Sequence, residues 1–426
     1  MKILREFSQS LLILLVGISL VNCSGGINCT FEGADRPARQ AASALAACPT
    51  GGGGSTPACS STQTPSLALF SMNSTGTFLP FDISSSTPPL VAICNTVAGT
   101  PGLLAVAQSI NGGPAFLYVL NASGSTGTIG AFAIAGDMSA SLTAVSGQPF
   151  PISTDTFTTG LTIRTDPQGL FVFVTNEVTG KIHVFQIDPA NTPGALTEVT
   201  GSPFSSPNVS SIAVDFSEQF LDATDPIDGQ ITIFTFDSTS GSLTLAPIAP
   251  NPMPINTGSG DFPNFAHSAV TNPTGIGFEI LYTANASSVS GYNLNVDGSL
   301  TPMAGSPYED AGAENIEPVG IAIDAGLTTL YVHSANNNGI LAYTVVPATG
   351  VPTVAIGSPF LASQTVGNHD ITIRGETLYV EQGTGIGLGG TIDPFSINTT
   401  TAALTALTGG STTTVATNMV TANTAP

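Results

Sequence analysis

The chain has 426 residues, 42% of them hydrophobic and only 8% charged, so it can build a large core, but its solvated loops must rely on Ser, Thr, Asn and Gly. Seven Lys and Arg against 28 Asp and Glu give a formal net charge of −21, and a surface of that sign repels phosphate backbones, which excludes nucleic acid as a partner. Tryptophan is absent, which argues against WD-type repeats.

The first element is a targeting segment. Lys2 and Arg5 precede "LLILLVGISLV" (11–21), an apolar run of signal-peptide length that is too short to span a bilayer. "SLVNC" (19–23) resembles the lipobox of bacterial lipoproteins. The resemblance implies a signal peptide over 1–22, a lipid on Cys23 and anchoring to a membrane, although Asn22 replaces the usual small residue. An ordinary secretory signal followed by a structural cysteine is the other reading. Ser24, next to the cysteine, points to the outer membrane, facing the periplasm or the cell surface.

Cys29, Cys48, Cys59 and Cys94 remain, an even number that in an exported chain reads as two disulfides of open connectivity. Their spacing lacks the paired C-x-x-C of a zinc site. "ADRPARQAASALAAC" (34–48) is expected to form a short helix, with Asp35 as N-cap and Pro37 in its first turn. "PTGGGGSTPACSSTQTP" (49–65) has the composition of a flexible tether, so 23–65 reads as a tether with a cysteine-containing insert.

From residue 66 onward a repeat takes over. A second element recurs as "FLYVLN" (116–121), "VFVTN" (172–176), "FLDATD" (220–225), "LYTAN" (281–285), "LYVHSAN" (330–336) and "LYVEQ" (378–382). Runs such as "LTIRTDPQG" (161–169) precede it, runs such as "KIHVFQID" (181–188) follow it, and closers such as "ALTEV" (195–199) end each unit. Four closers lead into "GQPF" (147–150), "GSPF" (201–204), "GSPY" (305–308) and "GSPF" (357–360). Each element is a short apolar or alternating run bounded by Gly, Asn, Asp or Pro, which is strand chemistry. Four strands per unit predict an all-β fold, a β-propeller of four-stranded antiparallel blades. "SLALFSMNSTGTFLPFD" (66–82) reads as part of a further blade, completed by the strand-competent C-terminus. That pairing would close a seven-bladed ring over 66–426 and remove its open edges, while six blades with an N-terminal extra is the other reading.

The combination of "YVTN"-like strands with "GALT…GSPF" closers resembles the YVTN/lactonase-like β-propellers, a family that includes 6-phosphogluconolactonase-like proteins and carboxymuconate cycloisomerases. It covers roughly residues 66–426. The resemblance implies the propeller fold and, as an expectation, a site at the mouth of the central channel.

The residues themselves single out His267 in "FAHSAV" and His369 in "NHDITI", which align just at the starts of innermost strands, in register with Leu161, Ser210 and Val319. The family often places a histidine in this stretch. Asp370 and Glu317 lie beside that register and could orient an imidazole or accept a proton. Only Arg164 and Arg374 could hold an anionic substrate, and they fall at different strand depths, which puts phosphorylated substrates in doubt. His183, alternating with Ile182 and Val184, reads as a strand-face residue. Asp222 takes the place of an aromatic, which suggests a locally opened blade or a polar partner, although a drifted, exposed copy is the favoured reading. "DATDPIDG" (222–229) and "NVDGS" (295–299) offer carboxylates for Ca²⁺, but Asp-Gly is also a common hairpin turn. No other cofactor is implied, and no G-x-S-x-G, HExxH or P-loop is present.

The expectation from sequence alone is a monomeric cell-envelope lipoprotein whose propeller binds a protein or glycan without catalysis. The alternative is a lactone hydrolase or cycloisomerase using His267, His369, Asp370 and Glu317.

Overall fold

The computed structural model describes residues 22–24, 28–30, 67–73, 78–82, 91–92 and 103–107, then 114–423 except 124–125, 136–140, 154, 156–160, 207, 256–266, 272–278, 286–287, 310–317, 325, 335–338, 362–370, 384–389, 408–411 and 415. All regular structure among these residues is strand. The predicted helix at 34–48, the tether, and Cys48, Cys59 and Cys94 lie outside them. Asn22–Ser24 and Asn28–Thr30 pair with each other, which sets the backbone of Cys23 opposite that of Cys29.

Six antiparallel sheets follow in chain order, numbered here 1 to 6 by their second strands: Ala115–Ser123, Phe171–Asn176, Phe220–Asp225, Glu279–Ala284, Thr329–Ser334 and Thr377–Gly383. Sheet 2 shows the plan. Leu161–Thr165 is innermost, then come Phe171–Asn176, Lys181–Ile187 and the outer Leu196–Glu198. The all-β propeller expected from the repeat is therefore present.

The outer edge departs from the four-strand plan. A further two-residue strand, Phe204–Ser205 in sheet 2, pairs with the same third strand as Leu196–Glu198, so each of the six sheets has five strands. The "GSPF" motif explains the split. Gly201, at φ 94°, turns the chain out of the ladder, and the Ser202 hydroxyl accepts the Val184 N–H that the missing pairing would orphan. Ser306, Ser358 and the Asn251 amide oxygen do the same for Gly291, Ala342 and Ile233.

The core lies between sheets. "FVFVTN" (171–176) is buried along its whole length, with alternate residues facing the two neighbouring sheets. Val172 and Val174 pack toward Tyr118 and Ile129 of sheet 1, while Phe171 and Phe173 pack toward Leu221 and Phe236 of sheet 3. Equivalent clusters join sheets 3 and 4, 4 and 5, and 5 and 6. Each such side chain contributes about 1.5–3 kcal/mol on burial.

In sheets 1, 4 and 5 the tyrosine of the second strand reaches across to the next sheet. Tyr118 donates to the Gly194 carbonyl at 3.1 Å, Tyr331 to the Ala402 carbonyl at 3.1 Å, and Tyr282 to the Gly350 carbonyl. The acceptors sit in the turn between third and fourth strands, which must therefore come very close.

Around the axis the innermost strands neighbour one another in order: Leu103–Ala107, Leu161–Thr165, Ser211–Val214, His267–Thr271, Pro318–Ile323 and Ile371–Arg374. A separate four-stranded sheet is ordered Ala416–Asn423, Leu67–Asn73, Phe78–Asp82, Val91–Ala92. Its strand Ala416–Asn423 lies against both Ile371–Arg374 and Leu103–Ala107.

Candidate functional site

Three consecutive innermost strands carry the residues expected at the channel mouth. His267 opens His267–Thr271, Glu317 immediately precedes Pro318–Ile323, and His369 and Asp370 immediately precede Ile371–Arg374. The first of these strands neighbours the second, and the second neighbours the third. Glu317, His369 and Asp370 lie outside the described residues, while the backbone of His267 pairs with Ala284.

Register corrects one detail of the repeat alignment. Counted from the second-strand aromatic position, His267 opposite Ala284 matches Thr162 opposite Thr175 and Ser211 opposite Thr224, not Leu161 and Ser210. In sheet 5 the match is Gly320 opposite His333, with Val319 taken up by a bulge. A one-residue slip exchanges the two faces of a strand, and only the pairing settles it. Arg164 opposite Phe173 and Arg374 opposite Thr377 do stand at different depths.

A charged cluster missed at the sequence level surrounds His183. Its side chain is fully buried, with Nδ1 2.9 Å from Glu198 Oε1 and Nε2 3.1 Å from Asp155 Oδ2. The imidazole thus bridges the two carboxylates, one at each ring nitrogen. Asp155 Oδ2 also accepts from Asn176 Nδ2 and Thr179 Oγ1, and Glu198 Oε1 from the Ser153 and Ser202 hydroxyls. Burial pushes the Glu198 carboxyl up, but the hydrogen bonds from His183, Ser202 and Ser153 outweigh it and hold it below the usual carboxylate range. Ser153 Oγ also lies 3.4 Å from His183 Nδ1, so the hydroxyl, the imidazole and both carboxylates form one connected group. The cluster is a clamp: it ties the segment carrying Ser153 and Asp155, between sheets 1 and 2, to sheet 2.

Asp222 is not the exposed copy expected from sequence. It is fully buried, because the strand around it keeps both faces packed whatever residue stands there. Burial, with Asp215 and Glu279 nearby, pushes its carboxyl well above the usual range. The proposed Ca²⁺ loops use their carboxylates locally. Asp225 Oδ1 accepts from the Ile227 and Asp228 N–H groups, and Asp297 Oδ1 from the Ser299 N–H and hydroxyl. Among the described residues no group of three His, Cys, Asp or Glu is gathered to hold a metal.

Comparison with known proteins agrees with this architecture. The model of the family described as "Lactonase, 7-bladed beta-propeller" matches residues 81–406. Among solved structures, a putative 6-phosphogluconolactonase from Bacteroides uniformis is 16% identical, with a TM-score of 0.65 over 84% of this chain and 99% of that one. A second, from Bacteroides fragilis, is 17% identical, with a TM-score of 0.61 over 84% and 98%. The periplasmic gluconolactonase of Pseudomonas aeruginosa is 14% identical, with a TM-score of 0.62 over 83% and 98%. No curated protein matches the chain. At such identities the structural neighbours share the fold, and the family match spans most of the chain; the protein belongs to the seven-bladed lactonase β-propeller family.

Proposed function

We propose that this protein is an exported lactone hydrolase working at one rim of a closed seven-bladed ring. The four-stranded sheet built from both ends of the chain serves as the seventh blade, since its strand Ala416–Asn423 lies between the innermost strands of sheets 6 and 1. The observation that carries the activity is the lactonase family match over 81–406, which runs through the three strand starts holding His267, Glu317, His369 and Asp370. It favours lactone chemistry over the non-catalytic binding module expected from composition.

In this reading one histidine takes a proton from a water that attacks the lactone carbonyl, while Asp370 or Glu317 orients the imidazole. The new bond is between water oxygen and acyl carbon. The bond that breaks joins acyl carbon to ring oxygen, which leaves as an alkoxide and recovers the proton to give a hydroxy acid. Two arginines at different depths on an acidic chain suit an uncharged sugar lactone better than a phosphorylated one. The name of the Pseudomonas neighbour, a periplasmic gluconolactonase, is consistent with that choice. In this reading the signal peptide over 1–22 would direct export and a lipid on Cys23 would hold the domain at the cell envelope.

Purified protein is expected to open gluconolactone faster than its 6-phosphate. His267→Ala or His369→Ala should lower kcat by about 100-fold or more without shifting the melting temperature. Failure of the wild type on every lactone offered would return the chain to the binding-module reading. Activity untouched by both substitutions would remove the site.

A further inference from the structure

The turns between first and second strands carry a line of acids that the proposed reaction does not use. Asp166 in sheet 2 and Asp215 in sheet 3 open these turns, each accepting two backbone N–H groups through Oδ1: Leu170 and Phe171 for Asp166, Gln219 and Phe220 for Asp215. The following sheet then caps the same turn. Glu218 of sheet 3 accepts the Gln168 N–H at 3.0 Å, and Glu279 of sheet 4 accepts the N–H groups of Phe216 and Ser217 at 2.8 and 3.1 Å.

Three buried carboxylate oxygens in this region have no donor. They are Oδ2 of Asp166 and both oxygens of Asp222. Asp166 is beside the Glu218 carboxyl, so two acceptor-only groups meet, and only a shared hydrogen can bond them. Asp222 stands where Tyr282 and Tyr331 each send a hydroxyl to the next sheet, and the charges of Asp215 and Glu279 act on it. The titratable groups acting on this set are Asp166, Glu218 and Asp215 for the pair, and Asp215 and Glu279 for Asp222. All are acids.

We propose that Asp166 and Glu218 share one proton across the seam between sheets 2 and 3, that Asp222 keeps its own between sheets 3 and 4, and that losing these protons loosens this part of the ring. It is a pH-sensitive device built into the fold and independent of the proposed hydrolysis. The direction follows from linkage. Burial, with Asp166 beside it, pushes Glu218 up to about 7 from 4.5. Between those values the folded chain holds a proton that the unfolded chain has lost, so stability is greatest at the acid end and falls as pH rises through about 7.

The test is thermal unfolding of the purified full chain across that window, for wild type, Glu218→Gln and Asp222→Asn. The wild-type folding equilibrium constant should fall about tenfold or more as pH rises from 4.5 past 7. The amides supply a hydrogen without ionising, so each variant should lose part of that slope and match or exceed the wild type above neutrality. A wild type whose stability is flat or rising there, or variants that keep the full slope, would overturn the proposal. Should Asp222→Asn not fold, infrared difference spectra decide on the wild type and Glu218→Gln. Protonated-carboxyl bands present in mild acid should bleach in mild base, with one missing in the variant, and their absence from the wild type would sink the idea.

Discussion

His183 illustrates how much a single residue can depend on remote chain. It alternates with Ile182 and Val184 as a strand residue should, and its face points toward sheet 1, as Phe185 and Ile187 do. Its two partners, Asp155 and Glu198, are 28 and 15 residues away in sequence. No spacing rule connects them, so the strand was legible and the clamp was not. Removing the imidazole leaves two largely buried carboxylates facing a void. His183→Ala is expected to cost about 3 kcal/mol in denaturant unfolding. A double-mutant cycle with Glu198→Gln should show strong coupling, and additive effects would mean that the pair does not interact. Asp222 makes the complementary point. Its departure from the repeat was plain in the sequence, but exposure was the wrong conclusion, because the strand Phe220–Asp225 is buried along its whole length.

At the scale of the element, the strands were readable because each is a short apolar run bounded by turn residues, and the pairing confirms them throughout sheets 1 to 6. The split outer edge was hidden, because "GSPF" looks like a loop until the Ser202 hydroxyl is seen replacing a ladder acceptor. The turn glycines separate two causes of strain. Gly350 has φ +70° and its turn is pressed against Ile280, Met303 and the Tyr282 hydroxyl of sheet 4, whereas Gly375 has φ +56° with nothing within 4 Å. Gly375→Ala should therefore cost only the backbone term, about 1 kcal/mol. Gly350→Ala adds a steric clash and should cost at least about 2 kcal/mol more by chemical denaturation. Equal effects would show that the sheets do not press together at this turn.

Across the whole molecule the acidic excess bears on stability. With 28 acids against seven bases, self-repulsion opposes the compact state, and salt should relieve it. Raising ionic strength from about 0.01 M to about 0.15 M shortens the screening length from roughly 30 to 8 Å, and the melting temperature should climb. A melting temperature indifferent to salt would show that the excess charge is already dispersed. The sequence by itself determined the all-β repeat and the order of its strands within each unit, because these follow from local apolar periodicity. Only the tertiary structure decided the register of His267, the clamp on His183, the burial of Asp222 and the meeting of Asp166 with Glu218. Each of these depends on which face of a strand meets which neighbouring sheet, and a period of two lets a single-residue shift reverse that face without changing the local pattern.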